Sequence, residues 1–185
     1  LVLALLGTNF YGHPAESMTM IGVTGTNGKT SSTLLLKQVL EKTLGAKVGL
    51  IGTMENRIGD LVIPTERTTP ESFELQALFA QMRDAGCTHV VMEVSSHAIA
   101  LDRVGGVRFD VAAFTNLTED HLDFHKTMES YCDTKAELFR RCDKAVANID
   151  DEWFVRMTKN AGCEVLATSA KTESALYARD LELRA

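Results

Sequence analysis

The residues best suited to chemistry lie in Ile21-Gly22-Val23-Thr24-Gly25-Thr26-Asn27-Gly28-Lys29-Thr30, where an apolar run passes through a turn into helical spacing. Gly25 and Gly28 let the backbone bend towards an anion, and a helix opening near Lys29 aims free N–H groups and its positive dipole end at the same point. Such a turn can hold phosphate. Lys29 would reach the β/γ-phosphates, and the Thr30 hydroxyl would ligate Mg²⁺. The strict G-x-x-x-x-G-K-[ST] pattern needs glycine at position 23, where Val23 stands. The reading therefore rests on T-G-T-N-G-K-T between strand and helix. The alternative is a glycine-rich turn with no ligand.

Four further stretches carry chemistry. His89-Val90-Val91-Met92-Glu93-Val94 reads as a strand buried on both faces, with an acid near its C-terminal end, where open α/β sheets place ligands. A buried carboxylate needs a cation or donors, so Glu93 is either an Mg²⁺ anchor or half of a structural salt bridge. In Thr68-Thr69-Pro70-Glu71, Thr69 suits an N-cap and Pro70 the first helical position, with Phe73, Leu78, Phe79 and Met82 as the buried face. Both threonines would then sit at an anion-friendly helix terminus, although simple capping explains the pattern. Asp120-His121-Leu122-Asp123-Phe124-His125 contains H-x-x-x-H, a zinc spacing, but phosphate chemistry upstream favours a hard cation. His121 beside Mg²⁺ would be an unusual ligand, and His125 reads as structural. Lys135 falls inside the apolar stripe Met128, Tyr131, Cys132, Leu138, Phe139 and Cys142 of a helix expected over 127–141. An ammonium there must snorkel, pair, lose its proton or be modified, and the pattern alone favours snorkelling.

These residues need a frame to hold them. The spacing predicts a helical or extended lead-in over 1–17, then strands over 18–23, 47–51, 109–114, 145–149, 164–167 and 176–183. It predicts helices over 30–44 and 151–160, and a hairpin-like excursion over 54–63 around Gly59-Asp60. This βαβ alternation implies a three-layer α/β/α domain with a mainly parallel sheet. The 185 residues, 45% of them hydrophobic, suffice for one domain with a substantial core. A net charge of −6 argues against a general nucleic-acid binder, so a substrate's negative charge must be met locally. The four cysteines form no C-x-x-C pair, which favours reduced thiols in a cytoplasmic protein. No apolar run is long enough to span a membrane, and Leu1 to Leu6 lacks a preceding basic region. The absence of an initial Met suggests a piece of something longer.

T-G-T-N-G-K-T at 24–30, the Glu93 strand, N-L-T-E-D-H-L-D at 116–123 and Lys135 together resemble the central ATP-binding domain of the Mur ligase family. T-T-P at 68–70 and E-V-S-S-H-A at 93–98 resemble the branch that adds a diamino acid, the third residue, to UDP-N-acetylmuramoyl-L-alanyl-D-glutamate. The resemblance implies a P-loop α/β domain over 18–185, incomplete at its C-terminal end, with 1–17 leading in from an absent N-terminal domain. It implies that Thr26, Asn27, Gly28, Lys29, Thr30 and Ser31 hold ATP phosphates and that Asn116 lies near the nucleotide. Thr30, Glu93, His121 and Lys135 match Mg²⁺-site positions, with Lys135 matching a lysine that carries a carboxyl group from CO₂. Thr68, Thr69, Ser95 and Arg103 match positions that hold the UDP-muramoyl-dipeptide. The implied reaction phosphorylates a carboxylate with ATP, and a diamino acid then attacks the acyl phosphate. Lys29, Glu93, His121 and Lys135 would form the catalytic group. Without the family's flanking N- and C-terminal domains, the fragment is expected to be weak or inactive. Two other readings are a folylpolyglutamate synthetase-like ligase and a non-catalytic nucleotide-binding module.

Overall fold

The computed structural model describes residues 1–178. Its strands are β1 (Thr19–Thr24), β2 (Val48–Ile51), β3 (Asn56–Ile58), β4 (Leu61–Ile63), β5 (His89–Glu93), β6 (Phe109–Phe114), β7 (Cys142–Asn148), β8 (Glu164–Ser169) and β9 (Leu176–Tyr177). They make one sheet in the order β4-β3-β2-β5-β1-β6-β7-β8-β9. The β2–β3 and β3–β4 pairings are antiparallel, and the others are parallel. The helices are α1 (Val2–Phe10), α2 (Lys29–Leu44), α3 (Ser72–Asp84), α4 (Ser96–Ala100), α5 (Leu122–His125), α6 (Met128–Ala136) and α7 (Phe154–Thr158).

Alternation along the central strands builds two cores. Ile21, Val48, Leu50 and Val91 face Leu34, Leu36 and Leu40 of α2. Their neighbours Met20, Ile51, Val90 and Met92 belong to a larger core on the other face, with Leu75, Phe79 and Met82 of α3 and Tyr131 and Cys132 of α6. Helices therefore cover both faces, giving the expected three layers. Gly45 ends α2 in the left-handed region, φ 62°, and its N–H donates to the Glu41 carbonyl.

Several expected boundaries move. Thr69 and Pro70 precede α3 rather than opening it: Glu71 is the N-cap, and its backbone N–H donates to the Glu74 carboxylate at 3.4 Å. Phe73 lies on the outer side of α3, 36% exposed, and packs its ring at a tilt against Phe10 and Tyr11 at the end of α1. The helix expected over 127–141 is α6 followed by a 3₁₀ turn at Glu137–Arg140. The one expected over 151–160 shrinks to α7. The lead-in packs on the body, with Gly7 of α1 against Phe73. Of the strand expected over 176–183, β9 is described, while 179–183 lie outside the described residues. No helix among the described residues is long and apolar enough to cross a membrane.

Candidate functional site

Strand register assembles the site. Val23 pairs with Glu93 and Thr24 with Phe114, so the turn after β1, the end of β5 and the residues after β6 share one edge of the sheet. β1 lies between β5 and β6, where the chain's connections diverge, which is the usual crevice for ligands in such sheets.

The turn after β1 is held by backbone geometry and by the segment that follows β6. Gly25 has φ 147°, and a Cβ there would lie 2.0 Å from the Thr115 hydroxyl. Gly28, φ 82°, is the N-cap of α2, and a Cβ on it would meet nothing within 4 Å among the described residues. The loop therefore presents open space at a helix N-terminus. The Thr26 N–H donates to the Asn116 carbonyl at 2.8 Å, and the Asn27 N–H donates to Asn116 Oδ1 at 2.9 Å. Asn116 Nδ2 and the Thr115 hydroxyl donate to the Asn27 carbonyl at 3.1 and 2.7 Å. Both ends of the Asn116 amide are thus spent on the loop backbone. Asn27 is exposed, Thr26 half-buried, and Ser31 stands exposed in the first turn of α2.

Charge collects beneath this loop. Lys29 folds back, donating from Nζ to the carbonyls of Gly25 at 3.0 Å and Thr26 at 2.8 Å. Lys135, 1% exposed, donates to the same Gly25 carbonyl at 2.8 Å. This excludes snorkelling, because α6 directs the stem into the core. Its ammonium lies 4.6 Å from the Tyr131 ring centroid. Burial, then the nearby Lys29 charge, pushes the Lys135 pKa down to about 7, against the pull of Asp120. Burial likewise lowers Lys29, opposed by Glu93 and Asp120. Glu93 is 1% exposed, and its carboxylate accepts from the Thr30 hydroxyl at 2.9 Å, the Thr53 N–H at 2.9 Å and the Thr53 hydroxyl at 3.0 Å. These donors replace water around a buried charge.

His121 is the left-handed N-cap of α5, φ 54°, so the H-x-x-x-H stretch is a single turn. Its ring packs edge-on against His97, and its centroid lies 6.1 Å from that of Tyr131. His125 is buried, and its Nε2 pairs with the Ser96 hydroxyl at 2.8 Å, the structural role expected of it. Burial lowers the pKa of both His97 and His125. Thr68, Thr69, Ser95 and Arg103 form an adjoining cluster. The Thr69 hydroxyl donates to the Glu93 carbonyl at 2.9 Å and accepts from the Ser95 N–H at 3.3 Å, while the Thr68 and Thr53 hydroxyls pair at 3.0 Å, Thr53 accepting because its own proton goes to Glu93. The Ser95 hydroxyl caps α4. Arg103 pairs with Glu71 at 2.8 Å and donates to the Thr69 carbonyl at 3.2 Å. Its Nε is buried without a hydrogen-bond partner among the described residues.

Sequence reasoning missed several residues here. Tyr131 sits one helical turn before Lys135 and reaches Thr26 Oγ1 with its hydroxyl at 3.3 Å, so its i, i+4 spacing was the available signal. Thr53, Asn148 and Asp151 left no local signal. Asn148 Nδ2 donates to the Thr115 carbonyl at 3.0 Å, and Asp151 accepts the Leu117 N–H at 2.9 Å, bracing the segment that clasps the loop.

The donor set suits a hard cation. No group of three or more His, Cys, Asp and Glu gathers for a metal among the described residues, but Mg²⁺ ordinarily takes one or two carboxylates and completes its shell with water and phosphate. Thr30 and Glu93 supply that kind of partial oxygen set. A separate groove of about 460 Å³, lined by Ile63, Arg67, Pro70 and Gln81 among others, lies between the β3–β4 hairpin and α3, away from the loop.

Comparisons with known proteins agree with this architecture. The chain is 50% identical over 181 residues to the UDP-N-acetylmuramoyl-L-alanyl-D-glutamate--2,6-diaminopimelate ligase of Caldanaerobacter subterraneus subsp. tengcongensis, covering 97% of this chain and 37% of that protein. It is 50% identical over 187 residues to the ligase of the same name from Corynebacterium glutamicum, covering 98% of this chain and 36% of the relative. The chain therefore spans little more than a third of these relatives. A solved structure of such a diaminopimelate ligase superposes with TM-score 0.81 at 28% identity, over 95% of this chain and 38% of that one. E. coli FolC in complex with DHPP and ADP shares the fold, with TM-score 0.74 at 21% identity over 94% of this chain and 49% of FolC. The family described as Mur ligase middle domain matches residues 23–185, and the chain belongs to that family.

Proposed function

We propose that this chain is the ATP-binding part of a ligase that joins a diamino acid to UDP-N-acetylmuramoyl-L-alanyl-D-glutamate through an acyl phosphate. What carries the reading is the meeting of Thr30 with the buried Glu93 carboxylate at the mouth of an open, glycine-held loop. In it, Thr26 to Ser31 cradle the phosphates, and Lys29 leaves its own loop carbonyls to neutralise the transferred group. Thr30, Glu93 and His121 hold Mg²⁺, which would supply charge neutralisation between nucleotide and carboxylate. Asn116 serves the nucleotide indirectly, by fixing the loop at Asn27.

Lys135 supports a further part of this reading. An amine reacts with CO₂ only when unprotonated: its nitrogen attacks the carbon and releases a proton. Burial that brings the Lys135 pKa down to about 7 provides that free amine near neutrality. The resulting carbamate would replace a buried cation with an anion fit for Mg²⁺. Thr68, Thr69, Ser95 and Arg103 hold the muramoyl dipeptide, with Arg103 Nε, unpartnered among the described residues, as a donor for its carboxylate or phosphate.

The test places this chain in the Caldanaerobacter ligase at the matching segment and measures phosphate release from ATP. Release requiring both the muramoyl dipeptide and a diamino acid is expected. Release driven instead by a folate and glutamate would replace the reading with a folylpolyglutamate synthetase.

A further inference from the structure

Four cysteines are free, and two of them meet away from the phosphate loop. Cys142 begins β7, and Cys163 immediately precedes β8, so parallel pairing brings together thiols 21 residues apart in sequence. Their sulfurs lie 3.4 Å apart, and both approach the Phe139 carbonyl, at 3.7 and 3.5 Å. The Gly162 N–H donates to that same carbonyl at 3.2 Å, fixing the turn that presents Cys163. A disulfide S–S bond is about 2.05 Å, so a small approach of two side chains already on one side of the sheet suffices. Their exposures differ: Cys142 is 2% exposed, whereas Cys163 is half-buried and reachable from solvent.

We propose that Cys142 and Cys163 form a reversible oxidation site, with peroxide as the oxidant. The half-buried Cys163 sulfur attacks a peroxide oxygen, the O–O bond breaks, and the thiol becomes a sulfenic acid as one water leaves. The Cys142 sulfur then attacks the sulfenic sulfur, forming S–S and breaking S–O, and its proton departs with the oxygen as a second water. Two electrons pass from the thiols to the peroxide, and a dithiol reductant reverses the change. Burial and the neighbouring Cys163 thiol push Cys142 up to about 12, so Cys142 is the second, resolving sulfur, assisted by its fixed proximity. The bridge closes the loop carrying α7 at the N-terminal ends of β7 and β8, opposite the phosphate loop. It would act as an oxidation-installed staple on that side of the sheet. Cys87 and Cys132 are buried singly and serve as internal controls.

The test treats the folded, reduced chain with hydrogen peroxide, blocks remaining thiols and maps peptides by mass spectrometry. The expected product has lost the mass of two hydrogens, links the peptides of Cys142 and Cys163, and returns to thiols with dithiothreitol. Its melting midpoint should rise by about 5–10 °C. Cys142→Ser should leave Cys163 as a sulfenic acid trappable by dimedone, while Cys163→Ser should leave Cys142 unmodified. Oxidation of Cys163 to sulfinic acid without a bridge, or bridging only after denaturation, would overturn the proposal.

Discussion

At the scale of single residues, the site is organised by two lysines that share one acceptor. Lys29 and Lys135 both donate to the Gly25 carbonyl, and the Lys29 charge adds to the burial that lowers the Lys135 pKa. Between about 7 and its ordinary 10.5, Lys135 is largely neutral in the folded chain and protonated in the unfolded one. The unfolded state then binds more protons, so this group's contribution to stability rises with pH across that window. Its burial penalty is felt in full below it. In CO₂-free buffer, Lys135→Met should remove that rise, as read from urea midpoints at about pH 6.5 and 9. An unchanged slope would show that Lys135 is not the group responsible. Tyr131 gives a second prediction. Tyr131→Phe deletes the hydroxyl at Thr26 while keeping the ring beneath Lys135, costing about 1 kcal/mol in denaturant melts. Tyr131→Leu also removes that ring and should cost about 3 kcal/mol.

At the scale of elements, the site depends on strands ending together and on one loop clasping another. Gly25→Ala would force a Cβ into Thr115 Oγ1 at a φ that other residues rarely adopt. It should cost more than about 2 kcal/mol and abolish nucleotide binding, checked by thermal melts and calorimetry. Near-normal binding by that variant would separate the loop's shape from its function. Much of this level was readable from sequence. Short apolar runs marked β1, β5 and β6, and T-G-T-N-G-K-T marked the turn between β1 and α2. Thr69 misled because a threonine before proline resembles an N-cap. The capping pair Glu71 and Glu74 won, leaving the Thr69 hydroxyl to bond the Glu93 carbonyl and the Ser95 N–H at the end of β5. Thr53 and Asp151 were unreadable because their partners lie 40 and 34 residues away and meet them only through sheet register. Lys135 was visible as an anomaly, but a stripe position cannot distinguish a snorkelling amine from one turned inward.

At the scale of the whole molecule, the chain spans 37% of a ligase that it matches at 50% identity. Asn27 and Gly28 of its loop are exposed, and the nucleotide-linked dipeptide proposed above would be held here by the Thr68, Thr69, Ser95 and Arg103 cluster alone. The chain alone should bind nucleotide yet form no amide at a measurable rate, as read by ATP-dependent coupling of the muramoyl dipeptide to a diamino acid. Full turnover by the isolated chain would contradict that division of labour. The central claim, that the loop and Glu93 form one Mg²⁺–triphosphate site, is tested most directly by calorimetric titration of ATP with and without Mg²⁺ into the chain and its Glu93→Gln variant. The account predicts that Mg²⁺ strengthens binding to the parent chain and that Glu93→Gln weakens the Mg²⁺-supported affinity by about tenfold or more, leaving Mg²⁺-free binding unchanged. The same Mg²⁺ dependence in both proteins would contradict it.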